Sequence, residues 1–283
     1  MQIGVFSFAT DTTADPAILA KRAEELGFAS FWAPEHAIIP VNYATRYPAS
    51  EDGIIPDAYD RILDPFVALA RASAVTKTIK LGTGICLIPE RNPLLLAKEV
   101  ATLDRLSGGR FIFGIGAGWL KEETEIMGGD FAHRWTQTKD AILAMKELWT
   151  KDESEYHGRY YNFPKVRSFP KPAQKPHPPI FMGGSSKNVF KRIVEWGDGW
   201  MPVLSPVEDI KRGRATLNEL AKQAGRDPQS IEVLAFGFPG QFRDRAEIRE
   251  LEQAGINQVT IWLTAEGDAM VAELEEVARK VLG

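Results

Sequence analysis

The chain has a single cysteine, Cys86, and cannot close a disulfide within itself. That suits a reducing compartment, and a cytoplasmic location is expected. Set in an apolar run, Cys86 reads as a small buried residue rather than a nucleophile. No stretch of about 18 apolar residues occurs, so no membrane-crossing helix is expected. Neither a basic block nor an acidic tail interrupts the mixed charges, whose formal sum is −4, and nucleic-acid binding is not indicated. The opening Ile3-Gly4-Val5-Phe6 lacks the basic start and long apolar core of a signal peptide and reads as a strand. No His/Cys/Asp/Glu set has metal-ligand spacing, and no Gly-x-Ser-x-Gly elbow is present. The turn after Phe8 carries no glycine-rich dinucleotide fingerprint, which counts against a doubly wound nucleotide-binding sheet.

What is present is an alternation. Among 283 residues, 44% are hydrophobic, enough for a large core without staples. Near-continuous apolar runs predict strands near 2–8, 28–34, 79–88, 110–116, 179–183, 199–203, 231–238 and 258–263, as in a parallel sheet covered on its outer face. Helical patterns follow near 15–26, 64–75, 93–106, 134–150, 186–196, 207–224, 244–254 and 267–282. Asp15-Pro16, Asp64-Pro65 and Asn92-Pro93 each set a capping side chain before a proline at the first helical position. Gly27 and Gly255 stand where a helix ends in a left-handed residue. Eight strand–helix pairs predict an α/β fold, a closed (β/α)8 TIM barrel forming one domain over 1–283.

Two connections are too long for ordinary loops. Residues 37–62 follow the second strand, so topology puts them on the C-terminal face as a lid, with Tyr43, Arg46, Tyr47 and Tyr59. Residues 151–178 follow the fourth predicted helix and belong toward the opposite face. There Tyr156 to Tyr161 predicts a small hairpin, and Pro170, Pro172, Pro176, Pro178 and Pro179 an extended brace without a catalytic role.

Barrel enzymes place their chemistry at the C-terminal ends of strands. The second strand ends in Pro34-Glu35-His36, a carboxylate beside an imidazole, able to take and give protons near neutral pH. His133, His157 and His177 lie away from strand ends. The third strand carries two glycines in Gly82-Thr83-Gly84-Ile85, the mark of a bulge or of a closely approaching ligand. The fourth ends in Gly116-Ala117-Gly118-Trp119, bare backbone for a flat ring or a phosphate. The fifth ends in Gly183-Gly184-Ser185-Ser186 at a helix start, where free N–H groups suit a phosphate. Such a barrel has no redox group of its own and suits a large phosphorylated cofactor.

These stretches, with Thr102-Leu103-Asp104-Arg105-Leu106-Ser107-Gly108-Gly109-Arg110, Pro178-Pro179-Ile180-Phe181-Met182 and Gly197-Asp198-Gly199-Trp200, resemble the luciferase-like monooxygenase superfamily over residues 1 to about 240. The pattern is most similar to the branch using the deazaflavin coenzyme F420, and FMN-using members share much of it. The resemblance implies a non-proline cis peptide at Gly84–Ile85 backing a tricyclic ring, with Glu35 and His36 along the ring's reactive edge. It implies cofactor contacts from Thr83, Gly84, Ile85, Gly116, Gly118, Trp119, Gly183, Gly184 and Ser185. Trp119 stands where the sugar-phosphate dehydrogenase branch has a glutamate, which argues against sugar-phosphate oxidation. The expected function is hydride transfer between F420 and a small organic substrate, His36 managing a proton and Glu35 tuning it. An FMN monooxygenase and a flavin-binding protein without turnover are the alternatives, and a homodimer is expected.

Overall fold

The computed structural model describes all 283 residues. Its strands are β1 (Gln2–Ser7), β2 (Ser30–Ala33), β3 (Lys80–Thr83), β4 (Cys86–Leu87), β5 (Phe111–Gly116), β6 (Ser154–His157), β7 (Asn162–Val166), β8 (Ile180–Gly183), β9 (Gly199–Met201), β10 (Glu232–Phe236) and β11 (Gln258–Leu263). Parallel pairing runs β3-β2-β1-β11-β10-β9-β8-β5, and β3 pairs again with β5, which closes an eight-stranded barrel. The third barrel strand is broken: β3 stops, the Gly84–Ile85 peptide is cis, and β4 resumes the pairing with β5. β6 and β7 form the expected hairpin, antiparallel and outside the barrel.

Nine α-helices surround it: α1 (Pro16–Leu26), α2 (Pro65–Val75), α3 (Pro93–Leu106), α4 (Lys121–Ile126), α5 (Arg134–Thr150), α6 (Lys187–Trp196), α7 (Val207–Gln223), α8 (Arg245–Gln253) and α9 (Ala269–Val281). Eight match the sequence pattern, and α4 is additional. Its Lys121-Glu122-Glu123-Thr124-Glu125-Ile126 has no apolar stripe, so periodicity gives no sign of it. The three Asx-Pro starts cap as expected. Asp15 accepts from Ala17 N at 2.8 Å, Asp64 from Phe66 N at 2.9 Å, and Asn92 from Leu94 N at 3.0 Å. Gly27 and Gly255 are left-handed, with φ of 92° and 80°.

Alternate residues of each strand point into the barrel, while the others pack with the helices in the main core. Inside, Phe6, Trp32, Ile112, Phe181, Met201, Leu234 and Phe236 fill the barrel, so it is a packed core and not a channel. Toward its C-terminal end the filling is lopsided. Phe6, Phe8, Phe236 and Trp262, from the neighbouring strands β1, β10 and β11 and the residue after β1's end, meet ring to ring at 4.8–5.5 Å. The neighbouring strands β5 and β8 end instead in Gly116 and Gly183, and Gly84 follows β3 directly. One side of the mouth is therefore filled with rings and the other left hollow.

The N-terminal face is held by buried polar knots. Asp104 of α3 accepts from Gln174 N at 2.9 Å and from its side-chain amide at 2.7 Å, tying down the proline-rich segment. Arg110 donates to Ile79 O at 2.7 Å. The hairpin does not stay on this face. It climbs along α5, where Asp140 accepts from Tyr156 Oη and from the N–H groups of Tyr160 and Tyr161. Glu24 of α1 clamps the entry to β3, accepting from Lys77 N, Thr78 N and Ile79 N at 2.6–3.1 Å. Burial opposes its charge, but these N–H groups outweigh it and lower its pKa from 4.5 to about 2. A depressed carboxyl stabilises the fold above about pH 4.5 and loses that contribution as pH falls toward about 2. Glu24→Gln should accordingly lower the melting temperature at neutral pH and cease to matter in acid. A melting-temperature difference that stays constant down to the acid limit would contradict this reading.

Candidate active site

The cleft of about 780 Å3 opens on the hollow side of the barrel mouth. Its floor is the ring cluster of Phe6, Phe8, Phe236 and Trp262, and the lid supplies Tyr47, Pro48 and Tyr59. The lid thus lies on the C-terminal face, as topology requires. It has a small core of its own in which Tyr47, Ile55, Tyr59 and Leu120 are buried, and the Tyr47 and Tyr59 hydroxyls are 2.7 Å apart.

Of the residues singled out in the sequence, Glu35, His36, Gly84, Ile85, Gly116, Gly118, Trp119, Gly183, Gly184 and Ser185 all line this cleft. Thr83 does not. It is fully buried and donates its hydroxyl to Gly114 O at 2.7 Å, bracing β3 against β5. The glycines divide into two kinds. A Cβ on Gly183 would sit 2.1 Å from Ile85 Cδ1, and one on Gly116 would sit 3.0 Å from Ile85 Cγ2, so both make room for the residue at the strand break. Gly184 has φ of 114° and open space on its side-chain face, and its carbonyl accepts from Trp200 Nε1 at 2.7 Å. With Ser185 it leads into the N-terminus of α6, whose first N–H groups have no partner within the helix.

Glu35 and His36, adjacent in sequence, part company in space. Glu35 is buried and turned to the broken strand: one oxygen accepts from Leu87 N at 2.6 Å and the other from Arg91. Burial pushes its carboxyl above the ordinary glutamate range, and Arg91 and the Leu87 N–H pull it back. Arg91 also holds Asp64 and Glu99. The downstream side of the break at Gly84–Ile85 is thereby tied to Glu35, just after β2, and on its upstream side Gly84 N donates to Ala33 O at 2.8 Å.

His36 is held by other groups. Its Nδ1 lies 2.6 Å from Glu123 Oε2, and Trp119 Nε1 lies 3.3 Å from its Nε2. An indole N–H can only donate and a carboxylate only accepts, so Nδ1 carries the proton and Nε2 is the acceptor. The other Glu123 oxygen accepts from Ala37 N at 3.0 Å and Ile38 N at 3.4 Å, fixing the first residues of the lid. Glu122 accepts from Ala44 N at 2.7 Å and Thr45 N at 3.2 Å further along. These two glutamates of α4 are the functional residues the sequence did not disclose. Their run of like charges reads as a solvated face, and the only hint is its place directly after a strand end.

The sequence profile of the luciferase-like monooxygenase family matches residues 1–281. The chain belongs to that family. An uncharacterized protein of Mycobacterium tuberculosis is 37% identical over 99% of both chains. The FMNH2-dependent dimethylsulfone monooxygenase of Pseudomonas putida is 30% identical over 73% of this chain and 55% of its own. The coenzyme F420-dependent tetrahydromethanopterin reductase of Methanopyrus kandleri superposes with a TM-score of 0.75 at 22% identity, over 99% of this chain and 98% of that one. This luciferase-like chain is accordingly an oxidoreductase on a luciferase-like TIM barrel. No helix is long and apolar enough to cross a membrane.

The cleft fits a flat, phosphorylated cofactor of the flavin or deazaflavin kind. Its volume lies within the usual range of small-molecule sites. Gly184 and Ser185 present open backbone at a helix start, and a Cβ on Gly184 would meet nothing within 4 Å.

The arrangement around His36 can be tested directly. Glu123 has a side-chain exposure of 1%, so Glu123→Ala would leave the Nδ1–H of His36 and two backbone N–H groups unpaired. Stranding the shielded imidazole N–H in this way costs about 1–3 kcal/mol. Denaturant unfolding should show that loss, with faster amide exchange at Ala37 and Ile38. Unchanged exchange there would show that Glu123 does not hold the lid.

Proposed function

We propose that this luciferase-like protein transfers a hydride between coenzyme F420 and a small organic substrate. The observation that carries the reading is His36, held by Glu123 and Trp119 in the wall of an apolar cleft that is also lined by Gly84, Gly116 and Gly183. The deazaflavin, when bound, supplies or takes up the hydride. Gly84 and Ile85 would back its ring, Gly116, Gly118 and Trp119 would border it, and Gly184 and Ser185 would take its phosphate. Gly183 and Thr83 act through what they support, Gly183 by admitting Ile85 and Thr83 by bracing β3.

The task left to the protein is the proton. Oxidation of a hydroxyl releases one, and the reverse reaction consumes one. The Nε2 of His36 is the acceptor poised for it, provided the substrate oxygen takes the place of the Trp119 N–H. The Nδ1–H stays on Glu123, whose carboxylate fixes the tautomer and offsets the charge of the imidazolium that forms. Glu35 contributes by holding the strand break, and the carboxylate that tunes His36 is Glu123.

The similarity of the strand-end motifs to the F420-using branch favours F420 over FMN. Fluorescence titration should give a lower Kd for F420 than for FMN. Equal or reversed affinities would favour the FMN monooxygenase reading. His36→Ala should slow single-turnover hydride transfer about 10²–10⁴-fold while leaving F420 affinity nearly intact. A variant as fast as the wild type would show that the proton is handled elsewhere.

A further inference from the structure

Behind His36, three carboxyl groups from different elements meet in the interior: Glu35 after β2, Glu90 after β4 and Glu123 in α4. Their donors are unequal. Glu35 receives Leu87 N and Arg91, and Glu123 receives His36, Ala37 N and Ile38 N. Glu90 receives only the Thr124 hydroxyl, 2.9 Å from Oε1, and its Oε2 is buried with no partner. Glu90 is 6% exposed, so bulk solvent hardly reaches it. The one nearby cation, Arg91, already engages Glu35, Asp64 and Glu99. A buried carboxylate without a counter-charge is costly, and the group least supplied with donors keeps its proton.

We infer that Glu90 is a positioning residue for His36: as a neutral acid beneath residues 118–124, it keeps Trp119 and Glu123 on the two ring nitrogens, and its ionisation disturbs both. The inference deepens the proton-handling role proposed above for His36. Both groups that hydrogen-bond to the imidazole come from this one short segment, and Glu90 lies against each end of it. Thr124, which donates to Glu90, follows Glu123 directly. A Cβ on Gly118, which precedes Trp119, would lie 2.7 Å from Thr124 Oγ1 and 3.0 Å from Glu90 Oε1. The chain therefore crosses immediately over the Glu90–Thr124 pair. A charge on Glu90 would face the carboxyls of Glu123 and Glu35, with Arg91 the opposing charge and Thr124 the one donor. Burial and the Glu123 charge push the Glu90 carboxyl up to about 8.

The test uses the full-length protein without cofactor, so its outcome is separate from whether F420 or FMN binds. Infrared difference spectra should show a protonated-carboxyl carbonyl component that fades through about pH 8 and is missing in Glu90→Gln. The ring-proton resonances of His36 should shift through the same inflection in the wild type and not in Glu90→Gln, which preserves shape and neutrality. Thr124→Val removes the hydroxyl that favours the ionised form, so it should move the inflection to higher pH. This variant keeps the test valid should Glu90→Gln not fold. A purely structural Glu90 would leave the His36 resonances without that inflection. Absence of a carbonyl component that fades through about pH 8, an inflection that survives Glu90→Gln, or one unmoved by Thr124→Val would each overturn the inference.

Discussion

The site hangs on the Glu123 carboxylate. It is almost wholly shielded from solvent, and it spends one oxygen on the imidazole of His36 and the other on the first two N–H groups of the lid. One side chain thereby sets the tautomer of His36 and the point where the lid leaves the barrel. Its neighbour Glu122 repeats the device further along the lid. Lid and imidazole are thus anchored to one short helix, and any movement of α4 reaches both.

A second constraint comes from the barrel itself. Eight strands leave an interior just wide enough to be filled by side chains. Here rings fill it on the side of β1, β10 and β11, while glycines leave it open on the side of β3, β5 and β8. The broken third strand projects Ile85 into that opening, and Gly116 and Gly183 must be glycine for it to fit. Glu35 and Arg91 hold the break from behind. The cleft is therefore walled by Ile85, seated against the glycine strand ends, with the ring cluster as its floor.

Much of this was legible in the sequence because the barrel is written in short-range patterns. Apolar runs alternate with capped helices, and each Asx-Pro start behaved as local rules require. Glu35, His36 and the glycine strand ends were visible because strand ends can be located once the alternation is read. What was hidden depends on contacts across long sequence distances. His36 and Glu123 lie 87 residues apart, and nothing local distinguishes Glu123 from the solvated glutamates beside it. Glu35 looked like the partner of His36 because it is next to it, whereas adjacent residues leave a strand in opposite directions. Glu90 was passed over for the same reason: its neighbours are drawn from β2, α4 and the turn at Gly118.

The central claim is that the hollow side of the barrel mouth receives the cofactor ring, with His36 at its edge. A crystal structure of the protein with F420 tests this most directly. The account predicts the tricyclic ring against Gly84 and Ile85, the phosphate on the N–H groups at Gly184 and Ser185, and His36 still bonded through Nδ1 to Glu123. A ring seated elsewhere on the barrel, or a phosphate held by other groups, would contradict it.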